Sequence, residues 1–546
     1  IYDALRRSSV RAVTASDELA ATFMANGYYR SSGKIGVVTA IPGPGFTYAL
    51  TGLAEAQHDS AAVLMITLKK DDAQARKFGF QVLDQSALAA PVAKKCVLID
   101  AIDSLEKNLI EAYRETLTGE PGPVVVEIQS RLMNFTHEYV GASGTAQSFT
   151  PRGPDAADTE RVAALLAKSK HPVLYVGQGA ADGSARVIQL AEKLNCPVLS
   201  TCSGRGILPE DHPLSLSYDF SFGVGKSVAQ LLSESDLIVA LGCKFTHNGS
   251  GGFRLALPAD KLVQVDSGPD VPGANYPVRL GIVSDVPLFL ETLLEHPQIS
   301  SIEGKRWSGS ELAARKSQIS SEQIDSVPYE PHIAETSAND LRQFFEALRK
   351  VMPAESCLVT DSGQHQLLAR SYFRVLSPRG MVAPADFQSM GFGLPAAIGA
   401  RLARPDRTVV AVIGDGALAM TATELLTASR ENINLLVVVL NDSCFGLIRL
   451  QQISQTGHAH GVTIQSPDIS ALASAMGVTY LRLTGDPEQT LTSAIAMPGV
   501  KMVEVILKDS LSIRRLRVSS AARETARKAL GPRLIGWLKR LTGSFR

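Results

Sequence analysis

Short apolar runs alternate with segments of helical period along the chain from its start to about residue 508, and this alternation limits the fold more than any other feature. Runs such as AAVLMIT (61–67), DLIVALG (236–242) and NLLVVVLN (434–441) carry almost no polar side chains. A strand with one face in water alternates apolar and polar residues, whereas a strand buried on both faces does not. Such strands belong in parallel sheets covered by helices. The expected fold class is α/β, built as three doubly wound parallel-sheet domains.

A chain of 546 residues is too long for one core, and the pattern breaks into three blocks. The first, 1–145, carries candidate strands at 11–15, 35–40, 61–67, 94–99 and 123–128. The polar, Gly/Ser/Pro-rich stretch 141–159 reads as a linker. The second block, 160–295, begins with HPVLYVGQGA (171–180), a strand entering a glycine turn, and continues with PVLSTC, DLIVALG and KLVQVD. A Ser-rich stretch, about 300–336, reads as a second linker. The third block, 337–508, holds SCLVTD, TVVAVIG, NLLVVVLN and MVEVIL. The remaining 509–546 form a basic tail with ten Arg and Lys, in which Leu534, Ile535, Trp537, Leu538 and Leu541 share one helical face. It is expected to be a helix that packs on the protein, or else one that touches an acidic partner or a membrane surface. The opening IYDALRRSSVRAVTA reads as the end of a helix followed by a strand. A fold of this kind enters that helix from an earlier strand, so an N-terminal truncation is expected.

Lys+Arg and Asp+Glu are equal at 54 each, which gives no electrostatic reason to expect nucleic acid as a partner. No apolar run approaches a bilayer-spanning length. Six scattered cysteines with no CxxC pair fit the reduced thiols of a cytoplasmic protein.

The segment carrying most chemistry is TVVAVIGDGALAMTATELLTASRENINLLVVVLNDSCFG (408–446). One buried strand ends at Gly414-Asp415-Gly416, a helix follows, and a second buried strand ends at Asn441-Asp442. Ligands of open parallel sheets sit beyond the carboxyl ends of the strands. Two oxygen ligands at neighbouring strand ends suit a hard cation such as Mg2+. Gly416 lets backbone approach a phosphate, and the next helix offers free N–H groups. Magnesium with phosphate, and no Walker lysine, points to a bound diphosphate whose transfer is not the reaction. A GDG alone is an ordinary turn; the whole strand–GDG–helix–strand–ND arrangement is far more specific.

That arrangement resembles the diphosphate-binding motif of thiamine-diphosphate enzymes, in the group of acetolactate synthase large subunits and benzoylformate decarboxylase. The family usually has two asparagines where this chain has Asn441-Asp442. The resemblance implies Asp415, Asp442 and the carbonyl of Cys444 as metal ligands, with Gly414, Gly416, Ala417 and Gly446 against the cofactor. GQHQ at 363–366 resembles the family element in which Gly363, Gln364 and His365 contact the diphosphate. MGFGLPAAIGA (390–400) matches the family almost word for word, and Met390 there props the cofactor into its folded shape. VTASDELAATFMANGYYRSSGK (13–34) resembles the pyrimidine-binding domain, in which the glutamate at Glu18 exchanges a proton with N1′ of the aminopyrimidine. Pro42 and Gly43 fall on the turn over the pyrimidine. Phe80 and Gln81 resemble a loop near the substrate, and His458 and His460 follow the cofactor loop and are further substrate candidates.

The resemblance reaches from residue 1 to about 508, in the order pyrimidine, middle and diphosphate domain. It implies thiamine diphosphate and Mg2+ as cofactors and a 2-oxo acid as substrate. The implied reaction is decarboxylation with ligation to a second carbonyl; simple decarboxylation, acyl-CoA lyase chemistry and a non-catalytic cofactor-binding role are the alternatives. Lys244-Phe245-Thr246 stands where flavin-bearing members have Arg-Phe-Asp, which argues against FAD. In this family each cofactor lies between two subunits, so a homodimer or a dimer of dimers is expected.

Overall fold

The computed structural model describes residues 2–70, 78–134, 150–302, 307–329, 331–338 and 340–508. The basic tail lies outside these residues. The first sheet contains β1 (Gly36–Thr39), β2 (Val63–Lys69), β3 (Lys95–Ile99) and β4 (Val124–Gln129) in the order β1-β2-β4-β3, all parallel. The second contains β5 (Pro172–Val176), β6 (Val198–Ser200), β7 (Leu237–Leu241), β8 (Leu262–Asp266) and β9 (Leu280–Val283), parallel and ordered β6-β5-β7-β8-β9. The third contains β10 (His332–Ile333), β11 (Ser356–Thr360), β12 (Met381–Val382), β13 (Thr408–Gly414), β14 (Leu435–Asn441), β15 (Thr479–Arg482) and β16 (Val500–Lys508). Its order is β10-β16-β14-β13-β11-β12, with β15 also on β16 and only β10 antiparallel. The continuous apolar runs are the strands buried on both faces: all of β5, β7 and β8, and β14 up to Leu440.

Seven helices frame the domain contacts and the strand-end clefts: α1 (Glu18–Ser32), α2 (Pro44–His58), α3 (Gly309–Ser326), α4 (Gln364–Tyr372), α5 (Gly393–Ala403), α6 (Asp415–Thr421) and α7 (Gly446–Thr456). The first and third domains meet where α1 crosses α5. Glycine makes that crossing close: a Cβ on Gly27 would stand 2.1 Å from the Ala396 carbonyl oxygen, and one on Gly399 would stand 1.9 Å from that of Met24. Arg30, buried near the end of α1, ties all three domains together. Its guanidinium pairs with buried Asp59 at 2.8 Å, donates to the Ala383 carbonyl, and reaches Ser203 Oγ at 3.1 Å. Removing one partner of such a buried pair costs about 3–5 kcal/mol.

Two expectations are corrected. Residues 11–15 form no strand. They bond instead to the third domain: Arg11 pairs with Glu431 at 3.1 Å, Arg430 donates to the Thr14 carbonyl, and the Ser16 N–H donates to Glu424 Oε1 at 2.9 Å. The Ser-rich stretch read as a linker contains α3, and the stretch before 160 already contains the start of a helix, Ala156–Lys168. In α3 Ser308 caps Glu311, and Leu312 and Ile319 are buried. Glu322 accepts from Ser227 on the second domain and Gln323 donates to Ser371 on the third, so the segment braces two domains. None of the six cysteines forms a disulfide. Among the described residues no helix is long and apolar enough to cross a membrane.

Candidate active site

Parallel pairing of β13 with β14 puts Gly414 beside Leu440, so the residues after each strand end emerge side by side. They open into a cavity of about 110 Å³ lined by Gly363, Gln364, His365, Met390, Gly414, Asp415, Gly416, Ala417, Asp442, Cys444, Phe445 and Gly446, with apolar side chains at its rim. Every cofactor or metal residue expected of the third domain is therefore gathered in one cleft.

Asp415 begins α6, Gln364 begins α4 and Gly446 begins α7. None of the three helices has a side-chain cap at its N-terminus. Their first-turn N–H groups and dipoles favour an anion. Gly363 at the head of α4 has φ 150°, and a Cβ there would press on the His365 ring at 2.8 Å. Gly446 likewise has no room for a side chain, since a Cβ would stand 2.4 Å from Gln364 Oε1 and 2.7 Å from Asp442 Oδ2.

Against these donors stand two acids. Burial raises the Asp415 carboxyl above its ordinary range. Burial, then the charge of Asp415, pushes Asp442 up to about 6. The Ser466 hydroxyl donates to Asp415 Oδ2 and its oxygen stands 3.1 Å from Asn441 Oδ1, while Asn441 is fixed in turn by Glu504 at 2.7 Å. Cys444 N–H donates to Asp442 Oδ1 at 3.2 Å, and Ser443 between them takes φ 52°, which turns the backbone at this point. Two neighbouring carboxylates beside three anion-seeking helix ends are reconciled by an anion carrying its own divalent cation. Among the described residues no three His, Cys, Asp or Glu side chains form a complete cation cage, so further oxygens would come from the backbone and the ligand. His365 is the second test of fit. Its ring is buried, hydrogen-bonded to the Asp361 carbonyl, and leaves Nε2 without a partner. A diphosphate oxygen would supply that partner. The residues present fit a magnesium diphosphate.

The pyrimidine-side residues gather elsewhere on the same chain. Asp17 caps α1 by accepting from Ala20 N–H at 2.7 Å, so the Glu18 carboxylate is free of that task. It lies over the Gly45 turn, where a Cβ would stand 2.6 Å from Glu18 Oε1. Buried Pro42 and Gly43 belong to the same turn, and Gln81 packs on Gly43 with exposed Phe80 beside it. Gly43 N–H donates to Gln85 Oε1 at 2.9 Å, and Gln85 is held by buried Glu127 at 2.8 Å. Gln85 thus shapes the turn from beneath. Glu18 is not among the residues lining the cleft that holds Asp415. Exposed apolar side chains flank both places, including Ile41 and Tyr48 near Glu18, and Met420 and Ile448 near the cleft. His458 and His460 are exposed and lie outside that cleft; their loop is folded on Gln452.

A larger cleft of about 470 Å³ lies beyond β5, β7 and β8. Its charged lining sets Arg152, Lys244 and Arg379 against Asp59, Glu120, Asp182, Asp266, Asp285 and Asp386. Lys244 is committed to Glu120 at 2.7 Å and Arg379 to Asp182 at 2.9 Å. This acidic lining does not fit the diphosphate of FAD.

Sequence reasoning missed Asp361, Ser466 and Glu127, which support the site residues by hydrogen bonds. Asp361, at a strand end, carried a positional signal; the others carried none.

Comparison with known proteins points to a thiamine diphosphate enzyme. The thiamine pyrophosphate enzyme N-terminal TPP binding domain matches residues 1–88, the central domain 159–293 and the C-terminal TPP binding domain 361–505. The acetolactate synthase isozyme 1 large subunit of Escherichia coli K12 is 30% identical over 92% of this chain and 88% of its own length. The acetolactate synthase of Mycobacterium leprae is 32% identical over 88% of this chain and 78% of its own. A probable acetolactate synthase large subunit of Methanocaldococcus jannaschii is 28% identical over 93% and 87%. Three domain matches in order, and relatives alike over nearly the whole length, place the chain among the thiamine pyrophosphate enzymes, in the group of the acetolactate synthase large subunits.

Proposed function

We propose that this chain binds thiamine diphosphate with Mg2+, decarboxylates a 2-oxo acid, and joins the remaining fragment to a second carbonyl compound. The observation that carries the reading is the pair Asp415 and Asp442 facing three uncapped helix ends in one cleft. When bound, thiamine diphosphate supplies an electron sink for the bond cleaved beside the 2-oxo group. Asp415, Asp442 and the Cys444 carbonyl hold the cation. The first-turn N–H groups, Gln364 and His365 bind the diphosphate, and Met390 orients the cofactor. Glu18 exchanges a proton with N1′ of the aminopyrimidine. Because Glu18 and Asp415 do not share a cleft within the chain, a site is completed by the Glu18 of a second copy. The exposed apolar side chains around both places support that pairing.

The relatives' name, acetolactate synthase, favours ligation. Incubating the loaded protein with pyruvate, alone and with an aldehyde or a second 2-oxo acid, tests this by carbon dioxide release and product mass. A ligated product supports the reading, an aldehyde alone makes the protein a simple decarboxylase, and no turnover leaves a cofactor-binding paralogue. Flavin has no part in this reading, and the purified protein is expected to lack flavin absorbance.

His365 gives a pH prediction. Burial lowers its pKa to about 4, so the ring is neutral near pH 7 before ligand arrives. An adjacent diphosphate raises that pKa, because it favours the charged ring. The His365 contribution is therefore linked to proton uptake, set against the proton that Asp442, at about 6, gives up to a cation. Calorimetry in buffers of different ionisation enthalpy should show a net proton exchange that shifts toward release in His365→Gln.

A further inference from the structure

Met390 stands in a short turn whose backbone is gripped from both ends by buried carboxyl groups. On one side Asp361 accepts from Gly391 N–H at 3.0 Å and Gly393 N–H at 2.6 Å, and also from Ser362 N–H at 2.8 Å. On the other, Ser389 N–H donates to Glu55 Oε2 at 2.8 Å. Glu55 comes from α2 of the first domain and is fully buried.

The surroundings of Glu55 do not suit a charge. Thr22 meets Gly52, and Asn26 meets Asp59, so Glu55, between them at helical spacing, lies on the face of α2 that packs on α1. Glu55 Oε1 and Asn26 Oδ1 are both buried without a hydrogen-bond partner. A buried carboxyl oxygen left without a donor disfavours the charged form. The nearby cation, Arg30, is already taken by Asp59 at 2.8 Å. Asp59 itself, Asp361 and Asp386 are the acids facing this region from α2 and from the third domain. We propose that Glu55, as a neutral carboxylic acid, is a positioning residue for Met390: with Asp361 it holds the Ser389–Gly393 turn from its two ends and so fixes how far Met390 projects into the diphosphate cleft. Burial, and then the charge of Asp59, push the Glu55 pKa up to about 8, in keeping with the neutral form. This role rests on the cofactor reading above, which alone gives the position of Met390 a catalytic meaning.

Glu55→Gln keeps both a neutral side chain and an acceptor for Ser389; Glu55→Leu keeps neither. Amide hydrogen exchange across residues 386–393 and kcat against pH are measured for both variants and for the wild type, with thiamine diphosphate affinity measured alongside. In Glu55→Leu the Ser389 segment should exchange faster and kcat should fall by about 10²-fold, the scale of a misplacement near 1 Å, with the affinity changed far less. Wild-type kcat should decline as pH rises through about 8, and Glu55→Gln should keep wild-type exchange and lose that decline. Unchanged exchange and kcat in Glu55→Leu would overturn the proposal, as would the same alkaline decline in Glu55→Gln. If Glu55→Leu does not fold, the Glu55→Gln profile decides alone. If the wild type binds no thiamine diphosphate, the cofactor reading fails, while exchange still reports whether Glu55 holds the turn.

Discussion

Glu18→Gln is expected to fold, to bind thiamine diphosphate and Mg2+ with little change in affinity, and to lose about 10²–10⁴-fold in kcat. Gln fills the same volume over the Gly45 turn, and Asp17 still caps α1, so the local structure is kept. What disappears is the ability to exchange a proton. Steady-state turnover and calorimetric titration of the same preparation separate the two effects. A variant retaining turnover within a few-fold would remove Glu18 from the chemistry. The same variant also tests how the site is assembled. When Glu18→Gln chains are mixed with Asp415→Ala chains and allowed to re-associate, a mixed dimer has one site with both residues intact and one with neither. Random pairing makes half the dimers mixed, so about a quarter of wild-type activity should return from two inactive parents. A site contained in one chain would recover nothing.

Asp415→Ala is expected to abolish cofactor binding. It removes one of the two carboxylates that face the anion-seeking helix ends and frees Ser466 from its acceptor. In the wild type, thiamine diphosphate with Mg2+ at about 100 times Kd should stabilise the fold by about 2.7 kcal/mol. That increment should vanish in the variant, so its melting temperature should be the same with and without ligand. Asp442→Asn is the contrasting case. It keeps an oxygen ligand, relieves the crowding of two acids that pushes Asp442 up to about 6, and should keep the ligand-induced shift. Loss of the shift in Asp442→Asn with its retention in Asp415→Ala would reverse the assignment of ligands.

Much of the cleft was legible because its residues form local words at strand ends. Gly414-Asp415-Gly416, Asn441-Asp442 and Gly363-Gln364-His365 each combine a buried strand with the turn that follows it, and topology brings strand ends together. The supports were not legible. Glu55 and Ser389 lie 334 residues apart, and no local pattern shows that a glutamate on one helix holds a backbone amide in another domain. Glu127, which holds Gln85 from 42 residues away, was hidden for the same reason. Residues 11–15 have a strand's composition, yet strands need an edge to pair with, and the third domain claims this backbone instead. The stretch around 309–326 was masked by its serines, although Leu312, Ile319 and Gln323 already mark one buried helical stripe.

At the glycine crossing of α1 and α5, backbone touches backbone with no side chain between to yield. On the proposed two-chain site, the two halves that one chain carries are thus set at a fixed spacing, like the two jaws of a cast bracket. In a symmetric pair, a second copy that aligns one jaw correctly has already aligned the other. Pairing would then switch on two catalytic centres in a single event, and a lone chain would switch on none.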